Sequence, residues 1–444
     1  MMISNSTSTS TRRAISGFSL LEIMIALALG LLLTAGILTV VDTTGRTNRL
    51  QDGLARLQES GRFAVTRMQA DLRMLGGQYC SNRSGNAVAG TVTATRAGRA
   101  PMVFAKNLAL PDSGGMNSVD ANGEPSAAEA SAPYALSPRF FMQGYACSDG
   151  AACVVPADIP AEGLDVGDRV PETDVLTIRY QRGSGWPITG GTCSGAGGDV
   201  TLARQDGDDE YSLEPDQLAL ISDCQNPGIV PVESFAGSVV KLKQADFAAG
   251  AAPTCTPTAL RDMRLFNFSR DFVTVTYYLR FAEDPNPDVN PNTGAGIRLI
   301  PALVRQENGV AQELVQGVDL MVFRYGVQDA TGATRYLTAD LVDTRDGGTI
   351  ACTTKPDGVA PSPAMPNVPE PGCLWRSVRS VEAHLLVNTV NEVHGLDTVS
   401  RSYRFVDPAW IDTTSDSLLP SGLMAGSMLR REFIAQTSVR NNNP

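Results

Sequence analysis

The sequence predicts an α+β fold in which one long N-terminal helix packs on an antiparallel β-sheet, with extra loops or a second β region. Three observations predict it. An apolar run at residues 18–41 continues into a helical pattern, the first proline is Pro101, and many short alternating segments follow. One helix followed by a series of strands is typical of an α+β layer.

The helix is expected to begin in a transmembrane segment. Residues 18–41 read FSLLEIMIALALGLLLTAGILTVV, with Glu22 as the only charge, and about 20 apolar residues span a bilayer core. Residues 1–17 form a leader that carries Arg12 and Arg13, which place the N-terminus in the cytoplasm by the positive-inside rule. A carboxylate inside such a segment is costly, so Glu22 is expected to have a partner and a role.

An amphipathic helix is predicted for residues 42–80. Apolar or small side chains recur there in steps of three and four, which indicates one buried face. Gly76 and Gly77 then favour a helix end. A single helix over residues 18–75 would be about 85 Å long. The residues of this face are Leu50, Leu54, Leu57, Gly61, Ala64, Met68, Leu72 and Leu75.

The rest of the chain, residues 81–444, is predicted to be a β-rich globular region beyond the membrane. Its apolar residues alternate with polar ones in short segments bounded by Gly, Pro, Asn and Asp. The predicted strands are Asp174–Tyr180, Leu218–Ile221, Val239–Leu242, Phe272–Leu279, Val318–Tyr325, Ser380–Val387 and Arg431–Val439. The glycine-rich stretch Gly190–Gly198 is expected to be a disulfide-closed loop.

All eight cysteines follow the apolar run, and an even number in an exported region predicts disulfides. Connectivity does not follow from the sequence, so pairing of neighbours is the simplest hypothesis. A zinc site is disfavoured because no Cys-x-x-Cys occurs. The hypothetical pairs are Cys147–Cys153, Cys193–Cys224, Cys352–Cys373 and Cys80–Cys255.

The acidic charge disfavours nucleic-acid binding, and the lack of catalytic motifs disfavours catalysis. Removal of the leader with Arg12 and Arg13 takes the net charge from −11 to −13, and no basic patch suited to nucleic acid is present. The two histidines, His384 and His394, belong to no catalytic motif, and His384 is expected on a sheet face. We therefore predict a protein without enzymatic activity, cofactor or metal.

One acidic segment leaves a calcium hypothesis open. Residues 283–292 place Asp284, Asn286 and Asp288 at alternate positions, as in a calcium loop. The glycine and late glutamate of an EF-hand are missing, and three prolines favour an exposed hairpin loop instead.

The motif Gly17-Phe18-Ser19-Leu20-Leu21-Glu22 resembles the class III signal of type IV prepilins. The resemblance implies that a prepilin peptidase cleaves between Gly17 and Phe18 and methylates the new Phe18 amine. Glu22 would then pair with the Phe18 amine of a neighbouring subunit, which makes a buried charge tolerable. Two other interpretations remain. The segment is a plain single-pass anchor whose Glu22 snorkels or lies near the helix N-terminus, where an anion is favoured, or a signal peptidase cuts after Ala35 or Gly36.

Several further segments resemble PilW-type minor pilins, with a pilin-like fold. The resemblance implies a structural, membrane-anchored subunit that primes type IV pilus assembly and joins the pilus tip. Its partners would be other minor pilins, the major pilin, the assembly platform and a PilY-type tip adhesin. The body would be periplasmic, on a single-pass anchor in the bacterial inner membrane. The segments are TDVLTIRY (173–180), LALISDCQ (218–225), VTYYLR (275–280), ELVQGVDLMVFRYGV (313–327), WRSVRSVEAHLLV (375–387) and RREFIAQTSVRN (430–441).

Three alternatives accompany this interpretation. Major pilins carry a proline late in the apolar segment, and Thr39 occupies that place here, which favours a minor subunit. A minor pseudopilin of type II secretion would have a similar anchor and fold. A membrane-anchored periplasmic enzyme or calcium-dependent binding module would need a functional cleft within residues 174–441.

Overall fold

The structure is a computed structural model of the 444-residue chain. It describes residues 19–77, 101–106, 134–135, 138–147, 153–194, 197–203, 213–223, 227–247, 253, 255–257, 262–283, 299–351, 372–391, 402–403, 405–406, 413–414 and 428–440.

One helix dominates the N-terminal part of the chain. Helix α1 is Leu20–Met74, 55 residues without interruption, and is therefore about 82 Å long. Leu75 closes its last turn, and Gly76 follows with a φ of 61°, a left-handed conformation that glycine adopts without steric cost. The predicted continuous helix up to the Gly76-Gly77 end is thereby confirmed.

The remaining elements are mostly strands, and each strand predicted from the sequence is present. Two short helices occur, α2 (Phe268–Asp271) and α3 (Ala339–Thr344). In chain order the strands are β1 (Met102–Val103), β2 (Tyr134–Ala135), β3 (Met142–Tyr145), β4 (Val175–Gln181), β5 (Trp186–Ser194), β6 (Gly197–Leu202), β7 (Leu218–Ser222), β8 (Gly228–Ala236), β9 (Val239–Leu242), β10 (Arg264–Asn267), β11 (Phe272–Glu283), β12 (Leu299–Glu307), β13 (Val310–Gln316), β14 (Val318–Gln328), β15 (Thr334–Leu337), β16 (Val378–Asn388), β17 (Ser402–Tyr403), β18 (Thr413–Thr414) and β19 (Arg430–Ser438).

Two antiparallel sheets share the main core with α1. One has the strand order β13-β12-β11-β4-β3 and the other β15-β14-β16-β19. The carboxylate of Asp174 joins them, because it accepts hydrogen bonds from the Phe323 amide at 2.9 Å and from the Cys147 amide at 3.0 Å. The second half of α1 packs against β13 and β4 of the first sheet and β16 and β19 of the second.

The apolar face of α1 lies in this shared core. Leu57, Ala64, Met68 and Leu72 are each no more than 2 % exposed and pack among side chains of both sheets. The core therefore fixes the helix against the two sheets at once. These contacts begin only at the middle of the helix, since Leu57 is its first buried residue.

A second β region is inserted between two neighbouring strands of the first sheet. β4 and β11 pair directly, with Gln181 opposite Phe272, and residues 182–271 leave and return between them. Within the insertion β8, β7, β10, β5, β6 and β9 form a closed ring, because β8 pairs with both β7 and β9. The short strands β1 and β2 extend the ring at β8. Closure removes the exposed edges that an open sheet would have.

The ring has its own core and is joined to the main body by aromatic rings. Side chains such as Val200, Val230 and Leu265 fill its interior. At the junction Phe268 stacks on Phe272 with ring centroids 4.6 Å apart, and Phe140 stacks on Phe272 at 5.2 Å. The α+β prediction with a second β region is confirmed.

The prediction of a loop at Gly190–Gly198 was wrong. Those residues belong largely to β5 and β6, which pair antiparallel up to Ser194 opposite Gly197. The glycines are compatible with strands here because backbones approach closely: a Cβ on Gly198 would lie 1.8 Å from the Thr192 carbonyl oxygen.

Candidate functional site

The first half of α1 projects from the body as an apolar rod. All its side chains from Leu20 to Val41 are exposed, and α1 is the one helix in the described ranges that is long and apolar enough to cross a membrane. Large contiguous apolar surface of this kind marks a membrane or protein interaction site. The rod is therefore the candidate functional site, together with the contacts that hold it to the body.

Glu22 lies in the first turn of this rod. Its carboxylate oxygen Oε2 accepts a hydrogen bond from the Ser19 amide at 3.1 Å, which satisfies one of the free amides of the helix N-terminus. The structure thus places Glu22 where an anion is favoured and where its side chain is exposed. Gly17 and Phe18, the predicted cleavage and methylation positions, lie outside the described residues.

Threonine hydroxyls along the rod bond to its own backbone. Each donates to a carbonyl three or four residues earlier, at 2.7 to 2.8 Å, so none of these polar groups is left without a partner in an apolar environment. The helix passes through Thr39, the position of the major-pilin proline, without interruption. The four residues are Thr34, Thr39, Thr43 and Thr47.

A buried carboxylate anchors the other half of α1. Asp71 Oδ2 accepts from Arg305 Nε at 2.6 Å and from Tyr277 Oη at 2.6 Å, and Asp71 Oδ1 accepts from Tyr180 Oη at 3.2 Å. The side chains of Asp71 and Arg305 are 6 % and 5 % exposed. A charge this deeply buried is stable only when it is paired and hydrogen-bonded, and here both conditions are met.

The charge network continues from Arg305 to the protein surface. Arg305 Nη1 lies 2.6 Å from Glu307 Oε2, and Glu307 also pairs with Arg182. Burial lowers the pKa of Arg305, but hydrogen bonds to Asp71 outweigh it and hold that pKa above the ordinary range. Burial and the nearby Asp71 charge raise the pKa of the Tyr277 hydroxyl. At neutral pH the guanidinium is therefore charged and the tyrosine is a neutral donor.

A glycine brings α1 into direct contact with the edge strand of the second sheet. A Cβ built on Gly61 would lie 2.4 Å from the Phe433 ring, closer than atoms in real structures approach. About two helical turns further along α1, Gln69 Nε2 donates to the Gln436 carbonyl of β19 at 3.3 Å. The helix therefore covers β19 by a ring-to-backbone contact and a side-chain hydrogen bond.

Two disulfides are placed, and one differs from the neighbour hypothesis. Cys147 bonds Cys153, with Cα atoms 5.1 Å apart, as predicted. Cys193 bonds Cys255 rather than Cys224, with Cα atoms 5.5 Å apart, because the ring of strands brings together residues that are 62 apart in sequence.

The Cys193–Cys255 bond also overturns the predicted Cys80–Cys255 pair. Cys373 is disulfide-bonded too, whereas Cys80, Cys224 and Cys352 lie outside the described residues. No cysteine in the described ranges is free.

Of the other sequence candidates, only His384 lies within the described residues. His384 lies on the sheet face of β16, as predicted, with Nδ1 2.8 Å from Glu432 Oε1 and its ring against Phe405. No metal-binding group of His, Cys, Asp or Glu occurs among the residues described. Asp284, Asn286, Asp288 and His394 lie outside them.

The sequence pattern did not predict the Asp71–Arg305 anchor. Asp71 falls on the apolar face of α1, three residues after Met68 and next to Leu72, and a lone acid on such a face was the available signal. Its partners Tyr180, Tyr277 and Arg305 come from three different strands, and no sequence spacing relates them.

Comparison with known families supports the resemblance on which the sequence analysis relied. Residues 289–441, which include β12 to β19, match PilW, the Type IV Pilus-assembly protein W family, and residues 12–38 match the Prokaryotic N-terminal methylation motif. No curated protein and no solved structure gives a match. In these two segments the chain resembles a PilW-type pilin with a class III signal, and the matches support a pilin-like protein related to type IV pili.

Proposed function

We propose that this chain is a minor pilin, a structural subunit that primes type IV pilus assembly and takes part in the tip complex. The observation that carries the proposal is the exposed apolar half of α1, whose first turn contains Glu22 and which overlaps the methylation-motif match. The exposed apolar half of α1 must be surrounded by a membrane before assembly and by the helices of other subunits after assembly.

Processing is the first step of the proposal. A prepilin peptidase removes residues 1–17 and methylates the amine of Phe18. Residues 18–41 then hold the chain in the bacterial inner membrane, residues 42–80 lead out of it, and residues 81–444 form the periplasmic body. This orientation follows the two leader arginines, Arg12 and Arg13.

Docking in the filament is the second step. Lipid tails are as apolar as leucine side chains, so transfer of the rod from the bilayer to a helix bundle is driven by packing and by specific polar contacts. In the proposal Glu22 exchanges the Ser19 amide for the Phe18 amine of a neighbouring subunit. Since the chain keeps Glu22, it needs such a neighbour and is not the outermost subunit.

The anchorage of α1 supports this role. Asp71 with Arg305, and Gly61 against Phe433, tie the helix to both sheets. A subunit held in the filament by its rod therefore also has its body held in a fixed orientation. The body then contacts other minor pilins, the major pilin and a PilY-type tip adhesin, while the assembly platform acts on the membrane-embedded form.

Intact mass and N-terminal fragmentation of the membrane-extracted chain test the proposal. We expect a chain that begins at N-methylated Phe18. A chain that begins after Ala35 or Gly36 would indicate an ordinary secreted protein, and a retained leader would indicate a plain anchor. Either result would contradict the proposed function.

A further inference from the structure

The five-stranded and four-stranded sheets that pack on α1 have four edge strands in the described part of the chain. Three of these edges are covered or short. α1 lies along β19, with Gln69 bonded to the Gln436 carbonyl, and α3 packs on β3. β15 has only four residues and leads through Thr338 into α3. β13 is the remaining edge, seven residues long.

The backbone of β13 offers unpaired groups to the outside. Asn308 and Gly309 form the turn from β12 with φ of 47° and 80°, as in a type I′ hairpin. In a two-residue hairpin the closing pair, here Glu307–Val310, exchanges hydrogen bonds and the pairs then alternate, so the register directs the main-chain groups of Ala311 and Glu313 away from β12. In the ranges that the structure describes, no backbone hydrogen bond from another element reaches them.

The turn of this edge is hydrogen-bonded to β11, and the side chains of the edge are exposed. The Thr274 amide donates to Asn308 Oδ1 at 2.8 Å, and the Asn308 amide donates to the Thr274 carbonyl at 2.9 Å, so the hairpin turn is fixed on β11. The side chains of residues 310–313 are all exposed, and Val310 is 73 % exposed. A preorganised edge binds an extended segment with less loss of conformational entropy than a mobile one.

The charge of the edge indicates what kind of strand fits it. Glu313 is exposed and accepts a hydrogen bond from Gln316 Nε2 at 2.9 Å, and no ion pair to it occurs among the described residues. Opposite charges on directly facing strands stabilise the pair, whereas like charges destabilise it. A strand with Lys or Arg opposite Glu313 is therefore favoured over an acidic one.

We propose that the β13 edge, residues 310–313, binds an extended segment of a neighbouring pilin subunit, which adds to the sheet as a strand and places a Lys or Arg opposite Glu313. The inference rests on the proposed function, because only a filament subunit has such neighbours. β13 also packs against α1. The added strand would be a second contact with neighbouring subunits, besides the helix-docking contact at Glu22. A subunit held by two linked contacts is bound more tightly than one held by either contact alone.

Replacement of one outward-facing amide tests the proposal. Ala311→Pro removes an N–H that β12 does not use, a position at which an edge strand tolerates proline, and Ala311→Ser is the matched control that keeps it. In cells that carry each variant as the full chain, we measure the amount of this subunit in sheared pili. We expect a loss of about tenfold for Ala311→Pro and a wild-type amount for Ala311→Ser.

A charge series provides the second variant. Glu313→Lys should reduce incorporation more than Glu313→Gln, because it places like charges opposite each other. For all four variants, circular dichroism of the detergent-extracted chain must match the wild type. If the Ala311→Pro variant does not fold, the comparison of Glu313→Lys with Glu313→Gln decides the question, because the Glu313 side chain is exposed to solvent.

The occupant is identified by a photo-crosslinking residue in place of the exposed Gln312. Cross-linking to another pilin, lost in the Ala311→Pro background, is the expected result. Cross-linking to a second copy of this chain, or to a protein that is not a pilin, would overturn the proposal, as would normal incorporation of both Ala311→Pro and Glu313→Lys. If these tests fail while pilus assembly still requires Glu22, only the β13 inference is removed. A chain that is not processed as a prepilin would instead remove the proposed function itself.

Discussion

Asp71 on α1 and Arg305 on β12 form an ion pair of 2.6 Å in the main core, where the two side chains are 6 % and 5 % exposed. The pair fixes the long helix against the five-stranded sheet at one position along its axis. Tyr277 and Tyr180 complete the shell of the carboxylate, so its charge is met by three donors from three strands.

Loss of the Asp71 carboxylate should destabilise the body strongly. Asp71→Ala leaves the buried Arg305 without its partner, and removal of one member of a buried pair costs about 3–5 kcal/mol. Asp52→Ala, which removes the exposed pair with Arg56, is the matched control and should cost less than about 1 kcal/mol. Chemical unfolding of the detergent-extracted chain measures both. Equal effects of the two variants would contradict an anchoring role for Asp71.

Glu307 should make stability fall at acid pH. Burial raises the pKa of its carboxyl, but hydrogen bonds from Arg182 and Arg305 outweigh it and leave the pKa below the ordinary 4.5. The unfolded chain then binds more protons than the folded one in this range, so the contribution of Glu307 is present above pH 4.5 and is lost as the pH falls through the folded-state pKa. Unfolding free energies of wild type and Glu307→Gln should converge at acid pH. Parallel pH profiles would show that Glu307 does not contribute.

Gly61→Ala should destabilise the packing of α1, although alanine favours helices. The new Cβ would meet the Phe433 ring at 2.4 Å, and overpacking of this kind costs about 1–3 kcal/mol. Gly45→Ala is the matched control, because nothing lies within 4 Å of its Cβ, and it should be neutral or stabilising by up to about 1 kcal/mol. Thermal unfolding compares the two. A second change, Phe433→Leu, should restore part of the stability that Gly61→Ala loses. If it does not, the loss does not come from contact with the Phe433 ring.

The Cys193–Cys255 bond should be found by peptide mapping. A non-reduced digest is expected to contain a peptide pair that joins these two cysteines across the inserted ring of strands. The chain-entropy model assigns about 4 kcal/mol to a loop of this length, so Cys193→Ser with Cys255→Ser should lower the stability of the ring by that order. Recovery of Cys193 joined to Cys224 would contradict the structure and return the pairing to the sequence neighbours.

Glu22 should be required for assembly through its charge. Glu22→Gln can still accept a hydrogen bond from the Ser19 amide but cannot form an ion pair, whereas Glu22→Ala loses both interactions. We expect both variants to be processed and retained in the membrane, and both to reduce pilus number and the interaction with other pilins. Normal piliation with Glu22→Gln would mean that Glu22 acts only as a helix cap, and normal piliation with both would remove the docking hypothesis.

The sequence by itself determined the elements that depend on local pattern. The long helix, its apolar first half, the position of Glu22 and each predicted strand follow from periodicity, from apolar run length and from the absence of proline before Pro101, which act between residues close in the chain. The prepilin motif is equally local, and the match at residues 12–38 confirms it without any tertiary contact.

Only the tertiary structure decided which distant residues meet. The insertion of the ring between β4 and β11, the Cys193–Cys255 bond and the Asp71–Arg305 pair each join positions 62 or more residues apart. The tertiary structure places α1 along the edge strand β19 and α3 on the edge strand β3, and it leaves residues 310–313 of the edge strand β13 exposed. These relationships depend on how apolar faces pack into one core and on which strands become neighbours, and chain spacing carries no information about either.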